Sequence, residues 1–173
     1  MLLLAITSTR AVAQFGIGSL HGTSFGVSYN SAIGEFDAKV KSGFGLAIHT
    51  ALGETSDTWT GRGSFGFDQF NGVGALNNIQ FISYGFDLLH KSGSYFYQFA
   101  GLGLYSTSYN YKTTTDAGNA GTRNGTNFGV NGGMGVKMGS PDGVHAFLEV
   151  AATTLFTGSY RSSWVPVRLG LQF

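Results

Sequence analysis

Few residues of this chain have types and spacings that could support chemistry. Gly61, Gly63 and Gly66 form a GxGxxG pattern, but a dinucleotide site also needs a strand before the glycines and a helix after them. Here the pattern lies within an alternating segment that is typical of a strand. Asp116 is a single carboxylate, and one carboxylate makes a poor calcium site. The four histidines are scattered along the sequence, and there is no Cys. We therefore predict no cofactor and no metal.

A second group of residues consists of isolated charges. Only 11% of the residues are charged, against roughly 25% in soluble domains. Among the charges within alternating segments, five isolated ones fall on the side of their segment that is opposite the large apolar residues. They are Arg62, Asp87, Lys137, Glu149 and Arg168. What these charges do depends on the elements that position them.

Large apolar and small residues alternate at period two over eight segments, each of about ten residues or more. In one segment, Phe44, Leu46 and Ile48 alternate with Gly43 and Gly45. This alternation predicts strands, and about ten residues is the length that a tilted strand needs to cross a bilayer. The fifth segment has an ambiguous phase because both of its faces are apolar. The segments are 15–29, 42–53, 59–70, 79–90, 95–109, 127–139, 144–156 and 164–173.

The second face of these strands decides the class of fold. A soluble sandwich or barrel would carry many Lys, Glu and Asp on its outer face, but this face carries mostly Gly, Ser, Thr and Asn. Small polar residues fit the interior of an eight-stranded barrel, which side chains alone can fill. Closure leaves no strand edge exposed to lipid. We therefore predict an all-β fold, an eight-stranded antiparallel up-and-down transmembrane β-barrel.

A barrel of this kind places the five isolated charges inside. A lipid-facing Arg or Lys near the bilayer midplane costs roughly 2–4 kcal/mol, whereas interior charges can pair with one another. We therefore expect Arg62, Asp87, Lys137, Glu149 and Arg168 to form a polar network that fills the lumen. The interior glycines favour the opposite result, since they leave space for water, and a narrow wet path stays open as an alternative.

The links between strands predict the topology. Residues 53–58, 91–94 and 139–143 read as short turns, whereas 30–41, 71–78, 110–126 and 157–163 read as longer loops. Such alternation is typical of bacterial outer-membrane barrels, with periplasmic turns and extracellular loops. Aromatic residues near strand ends predict girdles at the two membrane interfaces. We assign Trp59, Tyr95 and Tyr97 to the periplasmic rim and Tyr109, Tyr160 and Trp164 to the outer rim.

The N-terminal residues read as an export signal. Residues 1–13 contain a short apolar run that ends in Ala11-Val12-Ala13, which fits the A-x-A cleavage pattern of a secretory peptide. The segment lacks the usual basic start. We predict a truncated signal peptide at 1–13 and one barrel domain at 14–173.

These segments together resemble the small outer-membrane β-barrel proteins, the OmpA/OmpX/OmpW-like, porin-family barrel domain. The motifs that carry the resemblance are 34–52, with Gly-x-Phe before Lys-x-Gly-Phe-Gly, the Gly-rich segment 97–108, and the end of the chain, VPVRLGLQF. The resemblance implies export through the periplasm to a bacterial outer membrane, with lipid and lipopolysaccharide around the barrel. It also implies that Phe173, Leu171 and Leu169 form the signal read by the barrel assembly machinery. We expect a monomer, and the net charge of +1 gives no reason to expect nucleic acid.

The resemblance specifies architecture better than activity. A non-enzymatic role in envelope structure or surface interaction is the first hypothesis, and a narrow channel or carrier for small or apolar solutes is the second. The third is a lipid-modifying envelope enzyme. The lipid A deacylase type carries a His-x-Ser pair on a late strand, but His145 is followed by Ala146 and Phe147. The palmitoyl transferase type needs Asp-Ser, which is absent, so we predict no enzyme. A soluble lipocalin-like binder is the remaining alternative.

Overall fold

A computed structural model describes residues 22–54, 56, 58–112, 121–139, 143–158 and 160–173. Each strand pairs antiparallel with the next, and the eighth pairs with the first, so the sheet closes into a barrel. The predicted fold class is therefore confirmed. The strands are β1 (Thr23–Ile33), β2 (Val40–Glu54), β3 (Trp59–Gly72), β4 (Leu76–Lys91), β5 (Phe96–Tyr111), β6 (Thr122–Gly139), β7 (His145–Thr157) and β8 (Tyr160–Gln172).

The period-two alternation of the sequence gives the barrel its two faces. On β1, Ser24 and Ser28 are buried inside, whereas Phe25, Val27 and Tyr29 are exposed outside. The same division on every strand leaves a continuous apolar belt around the barrel, as a lipid-facing surface requires. Among the described residues, no helix is long and apolar enough to cross a membrane.

The barrel has two ends with different links. We call the end where β1 begins and β8 finishes the terminal end, and the opposite one the loop end. Two loop-end links are much tighter than predicted, because strand pairing continues to Asn71↔Asn78 and Thr157↔Tyr160. Gly74 and Gly158 turn the chain there with φ of 67° and 53°, a conformation that favours glycine. The predicted strict alternation of short turns and long loops is therefore wrong.

The aromatic girdle differs from the prediction at three positions. Trp59 and Tyr95 are exposed at the terminal end, but Tyr97 and Trp164 are buried in the lumen at 3% and 1% exposure. Tyr109 packs against a buried apolar cluster at the loop end. The physical reason is strand parity: Trp164 lies on the same face as Arg168, and Tyr97 and Tyr109 lie on the same face of β5 as the buried Phe99 and Tyr105.

Some sequence predictions concern parts of the chain outside the described residues. These are the signal peptide at 1–13, the beginning of the predicted first strand, Asp116, and the side chain of Tyr160.

Candidate functional site

Four of the five predicted interior charges meet in the lumen near the terminal end. We call Arg62, Asp87, Glu149 and Arg168 the charged layer. Arg62 Nη2 lies 2.9 Å from Asp87 Oδ2, and Arg62 Nη1 lies 2.5 Å from Glu149 Oε1. Arg168 Nη1 lies 2.9 Å from Glu149 Oε2. The two carboxylates are each 1% exposed, so their charges are neutralised inside the protein rather than by water.

Strand register explains why these four residues meet. Arg62 is directly opposite Asp87 on the β3–β4 hairpin, and Glu149 is directly opposite Arg168 on the β7–β8 hairpin. Each hairpin therefore supplies one ion pair of adjacent residues. The Arg62 side chain then crosses the lumen to Glu149 and joins the two pairs into one network.

Uncharged donors complete the charged layer. The Tyr97 hydroxyl donates to Glu149 Oε1 at 2.8 Å, and Asn131 Nδ2 donates to Asp87 Oδ1 at 2.8 Å. His49 Nε2 lies 3.4 Å from Arg168 Nη1. Lys137, the fifth predicted charge, has no carboxylate partner among the described residues. Its Nζ instead lies 5.6 Å from the centre of the Tyr97 ring.

The interior glycines beside the charged layer fill a different role from the one expected. A Cβ on Gly101 would overlap Asp87 Oδ1 and lie 2.9 Å from Asn131 Oδ1. A Cβ on Gly135 would lie 2.5 Å from the Tyr97 hydroxyl oxygen. The space that these glycines leave is therefore occupied by neighbouring polar side chains, not held open for water.

The loop-end half of the lumen is filled by aromatic side chains. We call Phe36, Phe70, Phe81, Tyr105 and Trp164 the aromatic layer. Phe81 and Trp164 stack with ring centres 5.1 Å apart, and the Phe36 and Phe70 rings meet edge to face at 5.1 Å. Such arrangements are favoured between aromatic rings. The layer is an apolar closure that the sequence did not predict.

The aromatic layer depends on a segment that the sequence predicts to be a loop. A short 3-10 helix, Gly34–Phe36, follows β1 and turns Phe36 into the barrel. There Phe36 is 1% exposed, and Val40 at the start of β2 is equally buried. No strand periodicity covers these residues, so the only sequence signal was an aromatic residue within a polar link.

A small polar cavity separates the two layers. Its volume is about 40 Å³, room for a few water molecules. Asn30 Nδ2 donates to Asp68 Oδ1 at 2.6 Å beside it. The lining includes Asp68, Ser64, Ser83, Asn131 and Thr153. Buried side chains of the charged layer and of the aromatic layer, such as Asp87 and Trp164, line this cavity from its two sides.

The described residues contain one serine–histidine hydrogen bond. The His-x-Ser spacing is absent at His145, but it is present at His90-Lys91-Ser92, which the sequence analysis did not consider. Ser92 Oγ lies 3.3 Å from His90 Nδ1 in an exposed turn. Within the described ranges, no carboxylate contacts the His90 ring, so the third member of a triad is missing. The described ranges also contain no group of three metal-ligating side chains.

Comparison with known proteins identifies the class of fold. No family model and no curated protein matches the chain. Ail, the attachment invasion locus protein of Yersinia pestis, has 14% identity and a TM-score of 0.61 over 88% of this chain and 99% of that one. The N-terminal β-barrel domain of Pseudomonas aeruginosa OprF has 11% identity and a TM-score of 0.61 over 88% and 98%. Neisserial surface protein A has 12% identity and a TM-score of 0.53 over 87% and 96%.

The chain therefore has the eight-stranded fold of small bacterial outer-membrane β-barrels. At these identities the likeness shows the fold alone. The lumen of this barrel holds a charged layer and an aromatic layer with a small cavity between them.

Proposed function

We propose that the protein is a non-enzymatic outer-membrane barrel with a closed lumen, which supports the envelope and presents its loop end for interactions at the cell surface. The observation that carries the proposal is closure at two levels, because Glu149 and Asp87 on one side and Phe70 and Phe81 on the other are each 0–1% exposed. A barrel filled in this way is suited to act through its outer surfaces.

The names of two structural neighbours support the surface role. Ail is an attachment invasion locus protein, and its structure has also been determined with the heparin analogue sucrose octasulfate. Neisserial surface protein A is named for its location. The loop end of this chain bears exposed charged residues of both signs, such as Glu35, Lys41 and Arg123, which suit it to contacts in water.

The cavity supports a second candidate function. A polar chamber of about 40 Å³ is one part of the narrow path that a channel for small solutes would need. Opening it requires movement of the charged layer or of the aromatic layer. We rank this function second because the residues that would have to move, such as Glu149, Asp87, Phe70 and Phe81, are buried to 0–1% exposure.

The two functions are separated by solute entry into vesicles. Vesicles that contain the purified full chain are transferred into solutions of small uncharged sugars, and swelling is followed by light scattering. A closed barrel gives the same swelling rate as vesicles without protein. Swelling that rises with the amount of protein would favour the channel instead.

The surface role requires that the loop end face outward. An epitope tag beside Gly121 should then be detected on intact cells, and a tag beside Gly143 only after the outer membrane is opened. The reverse pattern would place the loop end in the periplasm and remove the basis for a surface role.

We further propose that Phe173, Leu171 and Leu169 act in assembly, as the family resemblance implies. Leu171 and Leu169 face outward on β8, and Phe173 N donates to Thr23 O at 2.9 Å where β8 closes on β1. Phe173→Asp should leave unfolded material in the periplasm, whereas Leu52→Asp, an exposed apolar change on β2, should affect assembly less. Equal outer-membrane levels of the Phe173 variant and the wild type would contradict the role.

A further inference from the structure

One stretch of the outer wall differs from the rest. Near the loop end, the outward positions of β3, β4, β5 and β6 form two rows across four adjacent strands. Every position in both rows is Asn, Gln, Ser or Thr. The first row is Gln69, Gln80, Ser108 and Asn124, and the second is Asn71, Asn78, Asn110 and Thr122. We call these eight residues the polar face.

The polar face is ordered by its own hydrogen bonds. Gln80 Nε2 donates to Gln69 Oε1 at 2.9 Å, and Asn110 Nδ2 donates to Asn78 Oδ1 at 2.6 Å. Thr122 Oγ1 donates to Asn110 Oδ1 at 2.9 Å. An amide has more donors and acceptors than one such bond uses. The face therefore holds its side chains in fixed positions while hydrogen-bonding capacity is left for a partner.

The polar face is continuous with the lipid-facing belt. Two rows nearer the terminal end, the same four strands carry an entirely apolar and exposed row. Its members are Phe65, Tyr84, Leu104 and Phe128. Between this row and the polar face lies a mixed row, Phe67, Ile82, Ser106 and Thr126. Four residues along a strand span about 13 Å, so the change from apolar to polar residues takes place within that distance. The polar face lies where the headgroups of the surrounding lipids must stand.

The opposite wall shows that this composition is not general. There the belt continues to Ile33 and Phe156, which are 42% and 45% exposed. Arg161 lies against the Phe156 ring, 5.9 Å from its centre. That wall combines apolar residues with a charge, the combination expected at an ordinary membrane interface. The eight residues of the polar face carry no charge, and Lys112 at its loop-end border is bonded through Nζ to Gly74 O at 3.0 Å. The face itself therefore offers the hydrogen bonds of uncharged groups.

We propose that the polar face binds the uncharged sugar units of an outer-leaflet glycolipid. Sugar hydroxyls are both donors and acceptors, which matches rows of amides and hydroxyls, and no charge on the face has to be neutralised or desolvated. The glycolipid is held by its acyl chains beside the apolar belt and reaches the polar face with its sugars. This inference rests on the outer-membrane location in the proposed function, but it does not depend on whether the lumen is closed.

The test uses the full chain, which has no cysteine, with one cysteine introduced as Ser108→Cys. The protein is placed in nanodiscs that contain phospholipid with either complete-core lipopolysaccharide or lipid A without core sugars, and the rate of maleimide labelling is measured. Ser163→Cys is the matched control, because Ser163 is an outward hydroxyl residue on the opposite wall, bonded to Thr154 at 3.0 Å. Asn78→Ala with Asn124→Ala, in the Ser108→Cys background, tests the dependence on the amides.

We expect core sugars to slow labelling at position 108 about tenfold, the effect of one or two net hydrogen bonds, and at position 163 by less than about twofold. The double alanine variant should lose most of this protection while keeping its labelling rate in lipid A nanodiscs. Equal labelling at position 108 in the two nanodiscs overturns the proposal. The proposal is also overturned if core sugars slow labelling at position 108 equally in the double alanine variant. Disulfide-linked dimers through position 108 in both nanodiscs would identify a second copy of the chain as the occupant and would also overturn it.

Discussion

The charged layer and the aromatic layer close the same lumen by different chemistry. In the charged layer, two hairpins each contribute an ion pair and Arg62 joins them, so every member depends on its partners. In the aromatic layer, rings from four strands pack around Phe36, which arrives from a link between strands. One half of the lumen is therefore specified by charge pairing and the other half by the shapes of its aromatic side chains.

Removal of the central carboxylate of the charged layer should lower the free energy of unfolding the most. Glu149→Ala leaves Arg62 and Arg168 buried with reduced compensation, and loss of one partner of a buried pair costs about 3–5 kcal/mol. We expect the free energy of unfolding in detergent micelles to fall by that amount. Glu35→Ala, an exposed carboxylate at the loop end, is the control and should change it by less than about 0.5 kcal/mol. A loss below about 1 kcal/mol for Glu149→Ala would mean that the charged layer is not a coupled unit.

In the aromatic layer the corresponding change is Phe36→Ala. It removes a ring that is 1% exposed, and Phe→Ala in a core costs about 3–5 kcal/mol. We expect the free energy of unfolding to fall by about 3 kcal/mol, the lower limit, because the link that carries Phe36 can relax into the space that the removed ring leaves. Equilibrium unfolding measures it, with Val73→Ala, an exposed apolar residue in the neighbouring link, as the control. Equal effects of the two substitutions would show that Phe36 does not hold the layer together.

A smaller effect tests whether glycine spacing positions the charged layer. The added methyl group in Gly101→Ala meets Asp87, Asn131 and the backbone oxygen of Phe86, and overpacking of this kind costs about 1–3 kcal/mol. Gly125→Ala on β6 is the matched control, since a Cβ there meets nothing within 4 Å. We expect unfolding free energy to fall only for Gly101→Ala. If both variants keep the stability of the wild type, the contact with Gly101 is not needed to hold the Asp87 carboxylate.

The difference between the layers also decides what the sequence could predict. Period two alone predicts the interior position of Arg62, Asp87, Glu149 and Arg168, because it puts each of them on the strand face opposite the lipid-facing apolar residues. Trp164 could have been assigned in the same way, since it shares the face of Arg168, but its position near a strand end favoured a girdle.

Other features could not be read from the sequence. Tyr97 lies on a strand whose two faces are both apolar, so period two did not fix its direction. Phe36 lies outside any strand, and its burial depends on rings from distant strands that sequence spacing does not bring together. The role of Gly101 depends on the register of β4 against β5, which determines that Asp87 lies beside it.

The most direct test of closure at two levels is single-channel recording in planar bilayers, with the wild type and the Phe36→Ala/Trp164→Ala variant. With a closed lumen, we expect no conductance steps from the wild type. We also expect none from the variant, provided that it folds, because the charged layer still closes the lumen when the aromatic layer is thinned. Steady conductance steps from the wild-type protein would contradict the closed lumen, and steps from the variant alone would show that the aromatic layer is the only closure.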